Sequence, residues 1–194
     1  MEQTEGEILM NIDRAKGVTN GFMSDAELEW LASHAEGRQM IAEIGSWTGR
    51  STLALACNTT GKVFAVDTWN GSDNGDLKDV IANHYPGWVF DQFRQNTEDC
   101  TNIYVKRLPS LVAARLFEPQ TFDLVFIDAA HDYVSVLNDI RTWLPLLKRG
   151  GILCGHDYCD ERWPGVTKAV DELFPHRLLM TPNNGERSIW WTLA

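Results

Sequence analysis

The sequence contains few cysteines and no long hydrophobic run. Four of the 194 residues are cysteine and no two form a CxxC pair, which is too sparse for a disulfide-stapled secreted module. No segment approaches the roughly 20 apolar residues of a membrane span. The N-terminus mixes charged and apolar residues where a signal peptide has a hydrophobic core. We therefore expect reduced thiols, no membrane partner and a cytoplasmic location.

Positive charge is also scarce. The chain has 17 Lys and Arg against 27 Asp and Glu, for a net charge of −10. Nucleic acids and anionic membranes attract proteins with a surplus of positive charge. The composition therefore favours a small molecule as partner and argues against nucleic acid, while a homo-oligomer is left open.

The rest of the composition predicts one folded domain. Of all residues, 44% are hydrophobic, and no repeat or linker interrupts the chain, so residues 1–194 are expected to form a single domain. Short apolar segments predict strands buried on both faces of a sheet. They are residues 40–44, 62–66, 103–106, 122–127 and 151–154. Helical patterns lie between them, at residues 24–34, 50–57, 133–147 and from 164 onward.

The C-terminal part has a different pattern. Residues 177–180 and 188–193 flank the turn-rich segment 182–185, which predicts an antiparallel hairpin. We therefore predict an α/β fold with a doubly wound, mostly parallel seven-stranded sheet and a C-terminal antiparallel hairpin. Ligands of such sheets bind at the carboxyl ends of the strands. The long segment 69–101 is expected to contain a helix that either covers the site or packs on the sheet edge.

The first predicted strand leads into a glycine-containing turn. The string Glu-Ile-Gly-Ser-Trp-Thr-Gly from Glu43 to Gly49 lets the backbone turn tightly and approach a ligand before a helix N-terminus. The same string also fits an ordinary strand-to-helix turn. Asp67 ends the second strand, 22 residues after Gly45, where a carboxylate can accept hydrogen bonds from both hydroxyls of a ribose. The turn and the acid together predict a nucleoside site.

Three further strand ends carry polar residues. Ser110 follows the third strand, Asp128 and His131 follow the fourth, and His156 and Asp157 follow the fifth. With these residues, the chain from about 39 to 158 resembles the class I S-adenosylmethionine-dependent methyltransferases. Within that class it looks most like the small divalent-metal-dependent O-methyltransferases, including the sugar O-methyltransferases of natural-product pathways. The resemblance implies a Rossmann-like methyltransferase fold.

The resemblance also implies S-adenosylmethionine as the cofactor. In the family, the glycine loop holds the methionine part, the acid after the second strand holds the ribose, and a residue after the third strand contacts adenine. The cofactor-binding residues implied here are Glu43, Gly45, Ser46, Gly49, Asp67, Thr68, Trp69, Ser110 and Asp128. This chain has Leu108 and Pro109 where relatives often have Gly-Asp before the serine.

A metal site and a catalytic base are implied in the same way. Asp128 and Asp157 match positions that bind Mg²⁺ in metal-dependent relatives, and His156 falls where those relatives have another carboxylate. We expect a divalent metal, Mg²⁺ or Mn²⁺, and a histidine ligand shifts the preference away from Mg²⁺. His131 matches the proposed base of sugar O-methyltransferases, with Asp128 also catalytic. In the simpler alternatives, Asp128 only binds loop backbone and His156 is a buried histidine bonded to a carbonyl group.

The predicted reaction is transfer of a methyl group to a hydroxyl of a small molecule, a sugar first and a phenol second. His131 would accept the hydroxyl proton near neutral pH. The alternatives are a metal-independent N- or carboxyl-methyltransferase and a non-catalytic nucleoside-binding protein of the same fold. A nicotinamide-dependent oxidoreductase shares the ribose-binding acid, but the GxxxG spacing and the terminal hairpin argue against it.

Overall fold

The computed structural model describes residues 11–71, 78–180 and 189–194, and these contain one seven-stranded sheet. The strands are β1 (Met40–Ile44), β2 (Lys62–Asp67), β3 (Ile103–Arg107), β4 (Phe122–Ile127), β5 (Leu147–Gly155), β6 (Leu178–Met180) and β7 (Ile189–Leu193). Their order across the sheet is β3-β2-β1-β4-β5-β7-β6. Strands β1 to β5 are parallel, and β7 is antiparallel to both β5 and β6. The predicted fold class is confirmed, although the hairpin turn at 182–185 lies outside the described residues.

Helices cover both faces of this sheet. They are α1 (Asp13–Gly17), α2 (Asp25–Ala35), α3 (Arg50–Ala56), α4 (Lys78–Ala82), α5 (Trp88–Thr97), α6 (Ser110–Ala113), α7 (Tyr133–Trp143) and α8 (Pro164–Leu173). Side chains of α1, α2 and α3 pack on one face, and those of α6, α7 and α8 pack on the other. Within the described ranges, every helix falls short of the length and apolarity needed to cross a bilayer.

The ends of several helices follow local sequence signals. Ser24 caps α2 in a reciprocal capping box with Glu27, as the sequence predicts. Pro164 occupies the first turn of α8, where a missing N–H costs nothing. The predicted helix over 133–147 ends earlier, at Trp143. It stops there because Pro145 cannot continue the hydrogen-bond pattern, and a short 3₁₀ turn connects the helix to β5.

Segment 69–101 contains two helices, α4 and α5, and residues 72–77 lie outside the described residues. On α5, Val89 and Phe93 are buried. The ring of Trp69 lies 4.8 Å, between centroids, from each of the rings of Phe90 and Phe93. The segment is thus packed through an aromatic cluster, and its role as a cover over the ligand stays a prediction.

A buried polar group ties α6 to α7. Asp139 is 5% exposed, and its Oδ1 accepts a hydrogen bond from the hydroxyl of Ser110. The indole N–H of Trp143 donates to the same hydroxyl at 2.9 Å. Burial is the main cause that raises the pKa of Asp139 from 3.8 to about 6, and the nearby charge of Asp132 adds to the rise.

We expect Asp139 to make stability depend on pH. A carboxyl whose pKa is higher in the folded state than in the unfolded state binds protons more tightly when folded, so its contribution to stability falls as pH rises between the two values. Asp139→Asn removes this titration while keeping an acceptor for Ser110. In urea unfolding, the variant should therefore gain stability over wild type as pH rises from 3.8 to above 6, by about 3 kcal/mol. A difference in stability that does not change with pH would contradict the assignment.

Candidate active site

The glycine loop, residues 45–49, lies against the end of β4. Gly45 and Gly49 have φ angles of 90° and 92°, which glycine adopts without the clash of a side chain. A Cβ atom on Gly45 would collide with the backbone carbonyl of Asp128. The loop can therefore pass beside Asp128 only because residue 45 is glycine.

Asp67, at the end of β2, holds the same loop from the other side. Its Oδ2 accepts hydrogen bonds from the backbone N–H groups of Ser46 and Trp47, both at 2.9 Å. Its Oδ1 accepts a third, from the N–H of Trp69 at 2.7 Å. Burial raises the pKa of Asp67, and these hydrogen bonds oppose the rise. Asp67 therefore organises the loop, a role that the sequence did not reveal beside the predicted ribose contact.

Glu43 lies beneath the loop and is completely buried. Its Oε2 accepts hydrogen bonds from the hydroxyl of Ser46, at 2.7 Å, and from the hydroxyl of Thr52. Burial raises its pKa to about 7 despite these hydroxyls. Through these hydrogen bonds, the carboxyl group connects the loop to β1 and to the first turn of α3.

Four polar side chains meet at the carboxyl ends of β4 and β5. His131 Nε2 lies 3.0 Å from Asp157 Oδ2. His156 Nδ1 lies 3.2 Å from Asp157 Oδ1 and 3.6 Å from Asp128 Oδ1. The ring of His131 stacks on that of Trp163, with centroids 4.3 Å apart. All the residues predicted as catalytic or metal-binding therefore lie in one cluster.

His156 connects this cluster to the protein interior. Its Nε2 lies 2.9 Å from Glu27 Oε1, and both side chains are buried. Burial alone would lower its pKa, but the carboxylates of Asp128, Asp157 and Glu27 hold it well above its ordinary value. Burial likewise opposes ionisation of Asp157, yet the contacts with His131 and His156 outweigh it and lower that pKa. No local signal marks Glu27 as part of the site, because it lies 129 residues from His156.

Several residues around the site have left-handed backbone conformations. Trp47, Trp69 and Asp157 have φ angles of 45°, 55° and 61°. Such conformations cost a non-glycine residue of order 1–3 kcal/mol and persist only where surrounding contacts enforce them. For Trp47 and Trp69, the enforcing contacts include the hydrogen bonds to Asp67 and one from the Trp69 indole N–H to the Trp47 carbonyl, at 2.7 Å.

A cavity of about 250 Å³ opens between the glycine loop and the acid cluster, which is formed by Asp128, His131, His156 and Asp157. Its polar wall includes Asp128, His131 and Asp157, and Phe22 and Trp163 contribute to its apolar wall. Phe22 is 53% exposed, so its ring lies at the mouth of the cavity. The cavity therefore offers a small molecule both apolar surface and charged groups.

One wall of the cavity comes from the N-terminal strap, defined as residues 20–23. The carbonyl of Asn20 accepts a hydrogen bond from the indole N–H of Trp47 at 2.7 Å, and the carbonyl of Met23 accepts one from Arg50 Nε at 3.0 Å. No sequence signal indicates the strap or Arg50, because these contacts join parts of the chain that carry no shared motif.

The residues predicted to lie near the adenine already make other contacts within the protein. The Ser110 hydroxyl already bonds to Asp139 and Trp143, so an adenine contact by this residue would use another atom. Trp69 is buried, and Thr68 Oγ1 accepts a hydrogen bond from the N–H of Asn70. The cofactor contacts assigned to Ser110, Thr68 and Trp69 stay predictions.

The donor set at the strand ends suits a divalent cation. Asp128, His131 and Asp157 each offer a ligand atom, and these atoms lie within 4.8 Å of one another. Two carboxylate oxygens and one imidazole nitrogen fit Mn²⁺, Fe²⁺ or Zn²⁺ well and Mg²⁺ less well. The residues present therefore fit a metal, and His156 as a further ligand stays a prediction.

The fold is that of the Rossmann-like methyltransferases. A family model described as "Methyltransferase domain" matches residues 42–158, which is more than half of the chain. The chain therefore belongs to this methyltransferase family, and the sequence-based assignment to the class I methyltransferases is confirmed.

Solved structures share the whole fold at low sequence identity. Cofactor-bound Rv0187 from MTB has a TM-score of 0.68 and 18% identity, over 93% of this chain and 85% of that one. The O-methyltransferase from Bacillus cereus, solved in complex with SAH, has a TM-score of 0.64 and 20% identity, over 93% and 86%. The N-methyltransferase NodS from Bradyrhizobium japonicum WM9 has a TM-score of 0.59 and 16% identity, over 85% and 90%. The neighbours thus include both O- and N-methyltransferases.

Two curated proteins match parts of the chain. Protein R132 of Acanthamoeba polyphaga mimivirus is 38% identical over 56 residues, which are 28% of this chain and 25% of that protein. Protein y4gI of Sinorhizobium fredii is 25% identical over 133 residues, which are 66% of this chain and 14% of that protein. The chain therefore spans only a small part of either relative.

We expect Asp67→Ala to weaken binding of S-adenosylhomocysteine. The change removes the acceptor of two loop N–H groups and of the Trp69 N–H, together with the predicted ribose acceptor. Hydrogen bonds to a charged group contribute about 1.5–3 kcal/mol each, so affinity measured by calorimetry should fall about ten-fold or more.

A matched control is available at the opposite end of β1. Asp123 Oδ2 accepts the N–H groups of Gln39 and Met40, both at 2.9 Å. Asp123→Ala should cost stability and leave affinity unchanged. Equal affinities of folded Asp67→Ala and wild type would remove Asp67 from the cofactor site.

Proposed function

We propose that this methyltransferase transfers the methyl group of S-adenosylmethionine to a hydroxyl oxygen of a small molecule, with the help of a divalent metal. The observation that carries the proposal is the group formed by Asp128, His131 and Asp157, whose ligand atoms lie within 4.8 Å of one another. This group lines the same cavity as the glycine loop, so it can act on a molecule bound beside the cofactor.

The cofactor part of the proposal rests on the loop and on the solved neighbours. Gly45 permits close backbone approach, and Glu43 and Asp67 fix the loop in that position. Two of the structural neighbours were solved with their cofactor or with SAH bound. We assign the methionine part of S-adenosylmethionine to the loop and its ribose to Asp67.

The roles of the side chains follow from their contacts. His131 accepts the proton of the acceptor hydroxyl, because an imidazole can do so near neutral pH. The contact with Asp157 and the stacking on Trp163 fix the ring in one orientation. Apolar walls, including Phe22 at the mouth, exclude water and orient the acceptor.

Asp128 and Asp157 are the proposed metal ligands. When bound, a divalent cation supplies positive charge that lowers the pKa of the acceptor hydroxyl. The lowered pKa of Asp157 keeps its carboxylate ionised and ready to bind a cation. Replacing His131 and His156 one at a time tests whether either histidine is a further ligand.

The acceptor is proposed to be a sugar or a phenol. Both present a ring that can pack on Phe22 and Trp163 while a hydroxyl reaches His131. The net charge of −10 supports a small-molecule partner over nucleic acid. All four cysteines are free, which supports the proposed cytoplasmic location.

A second candidate is a metal-independent methyltransferase of the same fold. It is favoured by the 3.0 Å contact between His131 Nε2 and Asp157, since a carboxylate that orients a histidine is a common arrangement for a general base. Under this candidate, Asp128 only shapes the loop.

Two substitutions should separate the roles of the acid and the histidine. Asp128→Asn should remove metal binding and metal-dependent methyl transfer and leave cofactor affinity nearly intact. His131→Ala should keep metal and cofactor and lose about 10²–10⁴-fold in rate, the usual contribution of a positioned base. Metal and cofactor affinities are measured by calorimetry, and rates with panels of sugars and phenols. In wild type, the rate should rise with pH over the range in which histidine loses its proton.

The exposed His176→Ala serves as the control and should match wild type. Loss of metal affinity in His131→Ala would make His131 a ligand in place of a base. Full turnover in excess chelator, with no metal found by elemental analysis, would eliminate metal assistance and favour the second candidate.

A further inference from the structure

Glu27 uses its two carboxylate oxygens for two different tasks. Oε2 accepts hydrogen bonds from the backbone N–H and the hydroxyl of Ser24, at 2.8 and 2.9 Å, which completes the capping box of α2. Oε1 points the other way and lies 2.9 Å from His156 Nε2. A capping box needs only the first task, so the second contact calls for a separate explanation.

The side chains of Glu27 and His156 are both buried. The side chain of Glu27 has no exposed surface, and that of His156 is 3% exposed. Removing a charged group from water is costly unless a partner compensates it. The partners here are Ser24 on one side and His156 on the other, and the contact with Ser24 fixes the carboxylate in direction.

The contact with Glu27 also determines which way the imidazole ring faces. With Nε2 directed at Glu27, the other ring nitrogen, Nδ1, faces the acid pair, 3.2 Å from Asp157 Oδ1 and 3.6 Å from Asp128 Oδ1. A ring turned over would lose both sets of contacts. The orientation of His156 thus depends on a residue of α2 that itself lies behind the site.

We propose that Glu27 is a positioning residue of the active site. It holds the ring of His156 so that Nδ1 contacts Asp157 and Asp128. The hydrogen bonds from Ser24 keep Glu27 itself in place. The start of α2 follows directly on the N-terminal strap, so the same contact links one wall of the cavity to the acid pair. The part of this inference that concerns cation affinity rests on the proposed function.

The test compares three variants of the full chain. Glu27→Ala removes both contacts of the carboxylate, and Ser24→Ala removes only the side-chain half of the cap. Glu27→Asp keeps the charge but shortens the side chain, and it decides the same question if Glu27→Ala does not fold.

Two readouts follow the ring and the acid pair separately. In protein with ¹⁵N-labelled histidine, the measured signal is that of the His156 Nε2–H, which faces the buried carboxylate of Glu27. An N–H bonded in this way exchanges slowly with water and gives a resolved signal, which is assigned by its loss in His156→Gln. Calorimetry measures the affinity for Mn²⁺ without cofactor. Thermal unfolding reports the common loss of the helix cap, expected as a few °C in both Ser24→Ala and Glu27→Ala.

We expect Glu27→Ala and Glu27→Asp to lose the ring signal and to bind Mn²⁺ about 10–100-fold more weakly, the usual effect of removing a group that orients metal ligands. Ser24→Ala, which leaves Oε1 in place, should retain the signal and most of the affinity. The inference is overturned if Glu27→Ala keeps the signal, or loses it without weakening Mn²⁺ binding. If wild type binds no Mn²⁺, the proposed metal assistance is wrong, and the ring signal alone then decides whether Glu27 positions His156.

Discussion

The site depends on the pairing of β1 with β4 at the centre of the sheet. This pairing continues past the strands, because the N–H of Asp128 donates to the carbonyl of Ile44 at 2.7 Å. The chain leaving β1 must therefore turn directly beside Asp128, and a side chain at residue 45 would not fit. The glycine loop and Asp128 thus touch through their backbones. For this reason a cofactor and an acceptor can be bound next to each other.

Two carboxyl groups, the buried Glu43 and the half-buried Asp67, keep the loop in place. Glu43 holds it from below through Ser46, and Asp67 holds it from the side through backbone N–H groups. Burial raises the pKa of both acids, so each is placed at a cost that its hydrogen bonds offset only in part. A loop held in this way is preorganised, and a ligand binding there would not have to order it.

Sequence reasoning located the acid cluster but not its supports. Asp128, His131 and Asp157 could be predicted because each follows a strand, and parallel strands end at the same edge of the sheet. Glu27 and Arg50 could not, because their partners lie far away in the chain and no pattern links them. Local signals also left one contact of Asp67 undetected: it binds loop backbone, and its ribose contact stays a prediction.

The sequence by itself determined the alternation of five strands with the longer helices, the turn at Gly45 and the set of polar residues at the strand ends. These follow from hydrophobic periodicity and from local backbone chemistry, which act over a few residues. Only the tertiary structure decided which nitrogen of His156 faces Glu27, that Trp163 stacks on His131, and that the N-terminal strap walls the cavity. Those contacts arise from the packing of distant segments, and side-chain direction is fixed only when that packing is complete.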